Sequence, residues 1–312
     1  FEIVPQVYRL LDDRLQGDDA GRAPVIAPAF VRFGTWIGGD RDGNPHVTAD
    51  VTRQAAEIAA EHILLGLARA TTRIGSALTL DASDTPADAG LTALVAAQES
   101  LDPGIAERIG VRAPNETHRR ALLFVAARID ATRTGSTTLA YDGPEALLAD
   151  LRVIQASLIA AGAIRPANGE LQNLLWQVET FGFHLAELEV RQHSQVHRTV
   201  LAEIRAGGEL SETTEEVLAV FRTIAGLQSR YGVRAANRYI VSFTQSPADL
   251  ANVHELAVAA LGSAEAAPVL DVIPLFETFA DLHASVDILD EAVRAEAFQR
   301  RLAATGRRLE VM

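Results

Sequence analysis

Over most of the chain the apolar positions recur at three- and four-residue spacing with polar residues between them, the period of helices buried along one face. The pattern predicts helices over 2–16, 91–99, 116–134, 144–161, 169–180, 213–231, 247–261 and 279–304, the first broken by Pro5 near its first turn. A longer helix is capped at Thr48-Ala49-Asp50 and runs to about Ala77; Thr48 is a good N-cap, and the Asp50 charge suits the first turn of the dipole. The polar stretch 81–89, with Pro86, reads as a loop. Four segments break the helical texture: 30–37, 184–190, 238–243 and 269–276, each mostly apolar or β-branched, as strands are. Residues 309–312 read as the opening of a fifth. Each of the four ends at a polar cluster and is followed by a helix, and no internal repeat is found. The fold class expected is therefore α/β, strongly helix-rich, with a parallel sheet and residues 1–312 as a single domain. In such folds the chemistry gathers at the C-terminal ends of the strands.

Composition narrows the chemistry. With 48% hydrophobic and 22% charged residues, the 312-residue chain can bury a sizeable core. A net charge of −13 argues against a general nucleic-acid binder, which needs basic surface to neutralise phosphates. There is no cysteine, so disulfides, zinc-thiolate sites and cysteine nucleophiles are excluded. Every basic residue is arginine, so these residues hold neither a P-loop lysine nor a Schiff-base lysine. No apolar stretch is long enough to predict a membrane span, and 1–5 do not read as a signal peptide. The start lacks an initiator Met and the last residues read as the start of a strand, which predicts a piece of a longer protein.

Three strand-end clusters stand out. The first is Trp36-Ile37-Gly38-Gly39-Asp40-Arg41-Asp42-Gly43-Asn44-Pro45. Its glycines permit positive φ and close approach of backbone to a ligand; its plainer use is a tight turn stapled by an Asp–Arg pair. The second is Glu187-Leu188-Glu189-Val190-Arg191-Gln192-His193-Ser194. An Arg at a strand end can fork onto a carboxylate or phosphate, or form a salt bridge to Glu187 or Glu189. His193 and His197 have the spacing of a metal pair, but solvated or capping histidines satisfy it as well. The third is Pro274-Leu275-Phe276-Glu277-Thr278, where Glu277 is poised as a metal ligand or base, or as a helix-start residue beside a capping Thr278. The hydroxyls of Ser242-Phe243-Thr244-Gln245-Ser246 could bind a ligand, but read more simply as caps for the helix beginning at Pro247.

Read together and in this order, Gly38-Gly39-Asp40-Arg41-Asp42-Gly43-Asn44-Pro45, Val190-Arg191-Gln192 and Pro274-Leu275-Phe276-Glu277-Thr278 resemble the phosphoenolpyruvate carboxylase family, in an actinobacterial-like form. Arg238-Tyr239-Ile240-Val241-Ser242 and Tyr141-Asp142-Gly143-Pro144-Glu145 add weaker support. The resemblance implies part of a (β/α)8 barrel, about strands two to five and the first residues of strand six, with many additional helices. It implies a cytoplasmic homotetramer that carboxylates phosphoenolpyruvate with bicarbonate to oxaloacetate and phosphate, using Mg2+ or Mn2+. By motif, Glu277 corresponds to a metal-binding carboxylate and Arg191 to a ligand of the substrate phosphate or carboxylate. Trp36 and Leu275 match an apolar pocket, while Asp40, Arg41, Asp42 and Asn44 match the loop that shapes the site, with Gln192 beside Arg191. No nucleic acid or membrane is expected as a partner.

The sequence also departs from the family. The Thr-Ala-His-Pro-Thr-Glu and Gly-Tyr-Ser-Asp-Ser segments do not occur in these 312 residues, nor does the Gly-Arg-Gly-Gly loop, and the stretch 203–215 is short. The expectation is an internal fragment of such an enzyme, inactive alone. The alternative is a non-catalytic helical scaffold or complementing subunit that retains the motifs.

Overall fold

The computed structural model describes residues 1–19, 21–136 and 138–312. The chain divides into two compact units, one of Phe1–Phe33 with Ala59–Leu185 and the other of Gly34–Ile58 with Ala186–Met312.

The first unit is helical. It holds α1 (Ile3–Gln16), residues 59–77 of α2 (Ala49–Ala77), α3 (Ala89–Leu101), α4 (Pro103–Arg112), α5 (Thr117–Thr134), α6 (Pro144–Ala160), α7 (Ile164–Asn168) and α8 (Glu170–Phe181). The core is built from one stripe per helix: Leu122, Val125 and Ile129 of α5, Leu147, Leu151 and Ile154 of α6, Leu171 and Leu174 of α8 are all fully buried. Asp88 caps α3 by accepting from the Leu91 N–H, and Asp102 caps α4 by accepting from that of Ile105, with Pro103 in the first turn. The sequence reading passes over α4 and α7. Gly104 and Gly110 dilute the pattern of α4, although Asp102-Pro103 is a start signal.

The expected strand at 30–37 shrinks to two residues. The backbone before it is strapped to α1 instead of to a sheet. The buried Asp12 carboxylate accepts from the N–H groups of Ile26 (2.7 Å) and Ala27 (3.1 Å). The Tyr8 hydroxyl accepts from the Val31 N–H at 3.0 Å and bonds Thr180 at 2.9 Å. The Trp176 indole N–H donates to the Ala27 carbonyl at 3.1 Å.

The second unit carries β1 (Gly34–Thr35), β2 (Glu187–His193), β3 (Arg238–Ser242) and β4 (Asp271–Pro274), all parallel and in chain order across the sheet. With them go residues 49–58 of α2, then α9 (Ser194–Ala206), α10 (Glu212–Tyr231), α11 (Pro247–Leu261), α12 (Phe279–Ala292) and α13 (Glu296–Ala304). Val190, Tyr239, Ile240, Val241 and Ile273 are buried, which is why these strands read as nearly continuous apolar runs.

Strand β2 starts three residues later than expected. Residues 182–185 belong to the turn that ends α8: the Leu185 N–H bonds the Phe181 carbonyl at 2.9 Å, and Leu185 has φ +67°. Arg191 consequently sits within the strand. The expected helix 279–304 is divided at 293–295, where three-residue turns replace helical bonds and Phe298 packs edge-on against His254 of α11. Residues 309–312 lie beside β4, the Met312 N–H bonding the Pro274 carbonyl at 3.0 Å and the Phe276 N–H the Met312 carbonyl at 3.2 Å, short of a regular strand.

Replacing Asp12 by Ala leaves two backbone donors without their acceptor, the buried Ala27 N–H and the part-buried Ile26 N–H. The expected cost is about 3 kcal/mol. Urea denaturation of wild type and variant measures it, and a loss below about 1 kcal/mol would show that the strap contributes little.

Candidate functional site

Because the strands are parallel and in chain order, their C-terminal ends share one edge. The first cluster reaches that edge through a bulge. Thr35 pairs with Leu188 and Asp40 with Arg191, five residues on against three, so the first strand carries two extra residues. Gly38 turns the chain at φ +74°, and the ladder resumes with the Arg191 N–H on the Gly39 carbonyl (2.9 Å) and the Arg41 N–H on the Arg191 carbonyl (3.0 Å). A Cβ at Gly39 would stand 2.1 Å from the Glu189 carbonyl oxygen, so only glycine fits.

Arg191 is the hub of the edge, with its side chain 15% exposed. Its Nη2 donates to Asp42 Oδ2 (2.9 Å) from the first segment and to Glu277 Oε1 (3.0 Å) beyond β4. Its Nε donates to Ser242 Oγ (2.6 Å) at the end of β3, and Asp40 lies 3.8 Å away. The Trp36 ring faces the guanidinium with its centroid 5.6 Å off. Among the described residues, no partner is found for Nη1, which keeps two donors open. The salt bridge to Glu187 or Glu189 is not made: Arg234 takes Glu187 at 2.8 Å, and Arg238 and the Trp36 indole N–H take Glu189.

Glu277 is not a helix-start residue. Thr278 caps α12 in a capping box with Asp281, while Glu277 turns back to Arg191 and accepts the Phe243 N–H at 3.2 Å. Phe243 points that N–H by adopting φ +53°, a strained conformation for an aromatic residue. The Ser242 hydroxyl does not cap the following helix but accepts from Arg191, and Phe243 brings its backbone N–H to Glu277. Capping does fall to Ser246, in a box with Asp249.

The remaining predicted residues sit apart from this contact. Arg41 is buried and turns back, donating to the Gly39 carbonyl at 2.9 Å and to Thr52; burial pushes its guanidinium below the ordinary value. The Asp–Arg staple of the turn is therefore made across strands by Arg191, not by Arg41. Asn44 closes the turn, its Oδ1 accepting the His46 N–H at 3.0 Å. Gln192 is buried, its Oε1 accepting the His193 N–H at 2.8 Å. Arg41, Asp42, Asn44 and Gln192 line a cleft of about 1140 Å³ against α10. Leu275 is half-buried, and its backbone bonds Val241 and Thr244 of the β3 end.

The histidine pair is not a metal site. His193 caps α9, its Nδ1 accepting the Gln195 N–H at 3.0 Å, and stacks on Phe243. His197 is buried against the Tyr239 hydroxyl at 2.9 Å. Among the described residues no group of three or more His, Asp or Glu side chains is placed to hold a metal. Glu277 offers one carboxylate, already bonded to a cation and a backbone N–H. The residues present do not by themselves fit a divalent-cation site.

Fold and site together define an α/β protein that gathers charged groups at the carboxyl ends of parallel strands, where such sheets bind their ligands. The sequence profile of the phosphoenolpyruvate carboxylase family matches residues 1–209 and 205–312. The phosphoenolpyruvate carboxylase of Azoarcus sp. (strain BH72) is 32% identical over 358 aligned positions, covering 99% of this chain and 38% of that protein. That of Ralstonia nicotianae is 34% identical, covering 99% and 36%, and that of Nocardia farcinica 30%, covering 100% and 38%. The chain belongs to the phosphoenolpyruvate carboxylase family. It spans less than two-fifths of the length of these curated relatives. No helix among the described residues is long and apolar enough to cross a membrane.

Burial pushes the His197 imidazole down to about 3. Its folded value lies below its unfolded one, so the stabilisation is present above about pH 6.5 and is lost as pH falls towards 3. Between those limits wild type is expected to lose stability more steeply than His197→Asn, by up to about 1.4 kcal/mol per pH unit. Urea titrations at pH 7, 6 and 5 read the difference; parallel pH profiles would refute it.

Proposed function

We propose that these residues form part of the substrate site of a phosphoenolpyruvate carboxylase, which joins phosphoenolpyruvate and bicarbonate to give oxaloacetate and phosphate. The observation that carries this reading is the Arg191 side chain. It is braced by Asp42, Glu277 and Ser242 from three other segments, yet keeps Nη1 open. A braced guanidinium with two unspent donors suits a phosphate or carboxylate oxygen and needs little reorganisation to receive it. Trp36 and Leu275 would supply the apolar side of the pocket, keeping water from an enolate that it would otherwise protonate. Asp40 and Asp42 would hold Arg191 in place, while Arg41, Asn44 and Gln192 shape the loop and its cleft.

Parallel strands in chain order, with helices between them, suit successive units of a (β/α)8 barrel. We place β1 to β4 at about strands two to five, with 309–312 opening strand six, so that residues 1–312 form one incomplete barrel domain. The resemblance gives Glu277 to Mg2+ or Mn2+, a Lewis acid at such a site. Glu277 alone does not make that site, and the ion would need oxygen ligands beyond these. A cytoplasmic homotetramer follows from the same resemblance.

Two outcomes are expected. The 312 residues alone give no oxaloacetate in a coupled assay, because the segments that would bring the family's histidine, lysine and second carboxylate do not occur among them; turnover would refute this. In the full-length gene product, Arg191→Met lowers kcat/KM for phosphoenolpyruvate by about 1000-fold or more. Activity within a few-fold of wild type would sink the assignment and favour a non-catalytic scaffold.

A further inference from the structure

One buried acid in this unit has no part in the reading above. Glu189 lies on β2 two residues before Arg191, is 7% exposed, and is surrounded by features that fit it closely. Arg238 of β3 is ion-paired with one of its oxygens and itself extends to Glu310. The other oxygen accepts the Trp36 indole N–H. Gly34 leaves the carboxylate its space: a Cβ there would stand 2.7 Å from Glu189 Oε1. Gly39 likewise lets the first strand pass over the Glu189 carbonyl. The same indole faces the Arg191 guanidinium. Among the described residues, this is the one hydrogen bond of the 44%-exposed Trp36 side chain.

We propose that Glu189 is a positioning residue: its carboxylate, anchored by Arg238, sets the Trp36 indole over Arg191 and so fixes the direction in which the guanidinium presents its open donors to an anionic substrate. A buried carboxylate is costly unless paired, and Arg238 supplies the pairing. An indole N–H bonded to a carboxylate has one preferred ring orientation, and a guanidinium over the ring face gains a cation–π attraction only in that orientation. The consequence for substrate rests on the anion-binding reading of Arg191; the placement of the indole does not.

The test uses the full-length gene product labelled with 5-fluorotryptophan, the Trp36 resonance being identified by its loss in Trp36→Phe. Glu189→Met keeps the size and removes the acceptor. It is expected to move the Trp36 resonance by more than its linewidth, and Glu189→Gln, which keeps an acceptor oxygen, to lie closer to wild type. Coincidence of Glu189→Met with wild type, or equal displacement by both variants, overturns the placement. In steady-state kinetics, Glu189→Met is expected to raise KM for phosphoenolpyruvate about 10-fold with kcat within about 3-fold, and to add nothing further in an Arg191→Lys background. Full additivity overturns the coupling. If Glu189→Met does not fold, Trp36→Phe alone and with Arg191→Lys gives the same cycle from the indole side. A wild type without turnover would fail the functional reading while the resonance still decides the placement.

Discussion

A positive charge that is mostly out of water must be matched, and the matching of Arg191 organises this edge of the sheet. Its partners come from segments far apart in the chain: Asp42 after β1, Ser242 at the end of β3 and Glu277 after β4. Each partner can reach it only if its strand stops at the right height. The bulge at Gly38 and Gly39 sets that height for the first segment, and the positive φ of Phe243 turns a backbone donor towards Glu277. Local irregularities that would weaken an isolated strand are here the means by which four strand ends meet on one guanidinium.

Much of this was legible in the residues. The helical stripes of α5, α6 and α8 are the buried stripes of the structure, because periodicity reports which face is dry. The strand-end position of the first and third clusters was also legible, since apolar runs followed by Gly, Asp and Glu mark where a buried strand reaches solvent; the second cluster is itself strand β2. What could not be read was pairing. Arg191 has Glu187 and Glu189 close in sequence, yet Arg234 and Arg238 take them, and Arg191 bonds residues about 50 to 150 positions away. Nor could the pattern show that residues 26–31 give their backbone donors to Asp12 and Tyr8, because an apolar run looks the same whether a strand or a side chain satisfies its N–H groups. The distinction lies in a tertiary contact, not in local preference.

The two arginines of the site edge show how position, not residue type, decides use. Arg41 sits two residues past Gly39, where the bulge turns its side chain towards the start of α2; there it donates to the Gly39 carbonyl and to Thr52 and is buried. It braces the loop, and its buried Nε has no partner among the described residues. Among the described residues, the hydrogen bonds of the Arg191 side chain use Nε and Nη2. The carboxylates around it could be taken as a mask that an incoming anion must displace, at the cost of breaking two charge-assisted bonds. The geometry removes that requirement. Both carboxylates bond the same nitrogen, and the two N–H groups of Nη1 are left over. On the proposed reading an anion would bind beside the ion pairs instead of in place of them, and the carboxylates that neutralise Arg191 would also keep it from following any other direction.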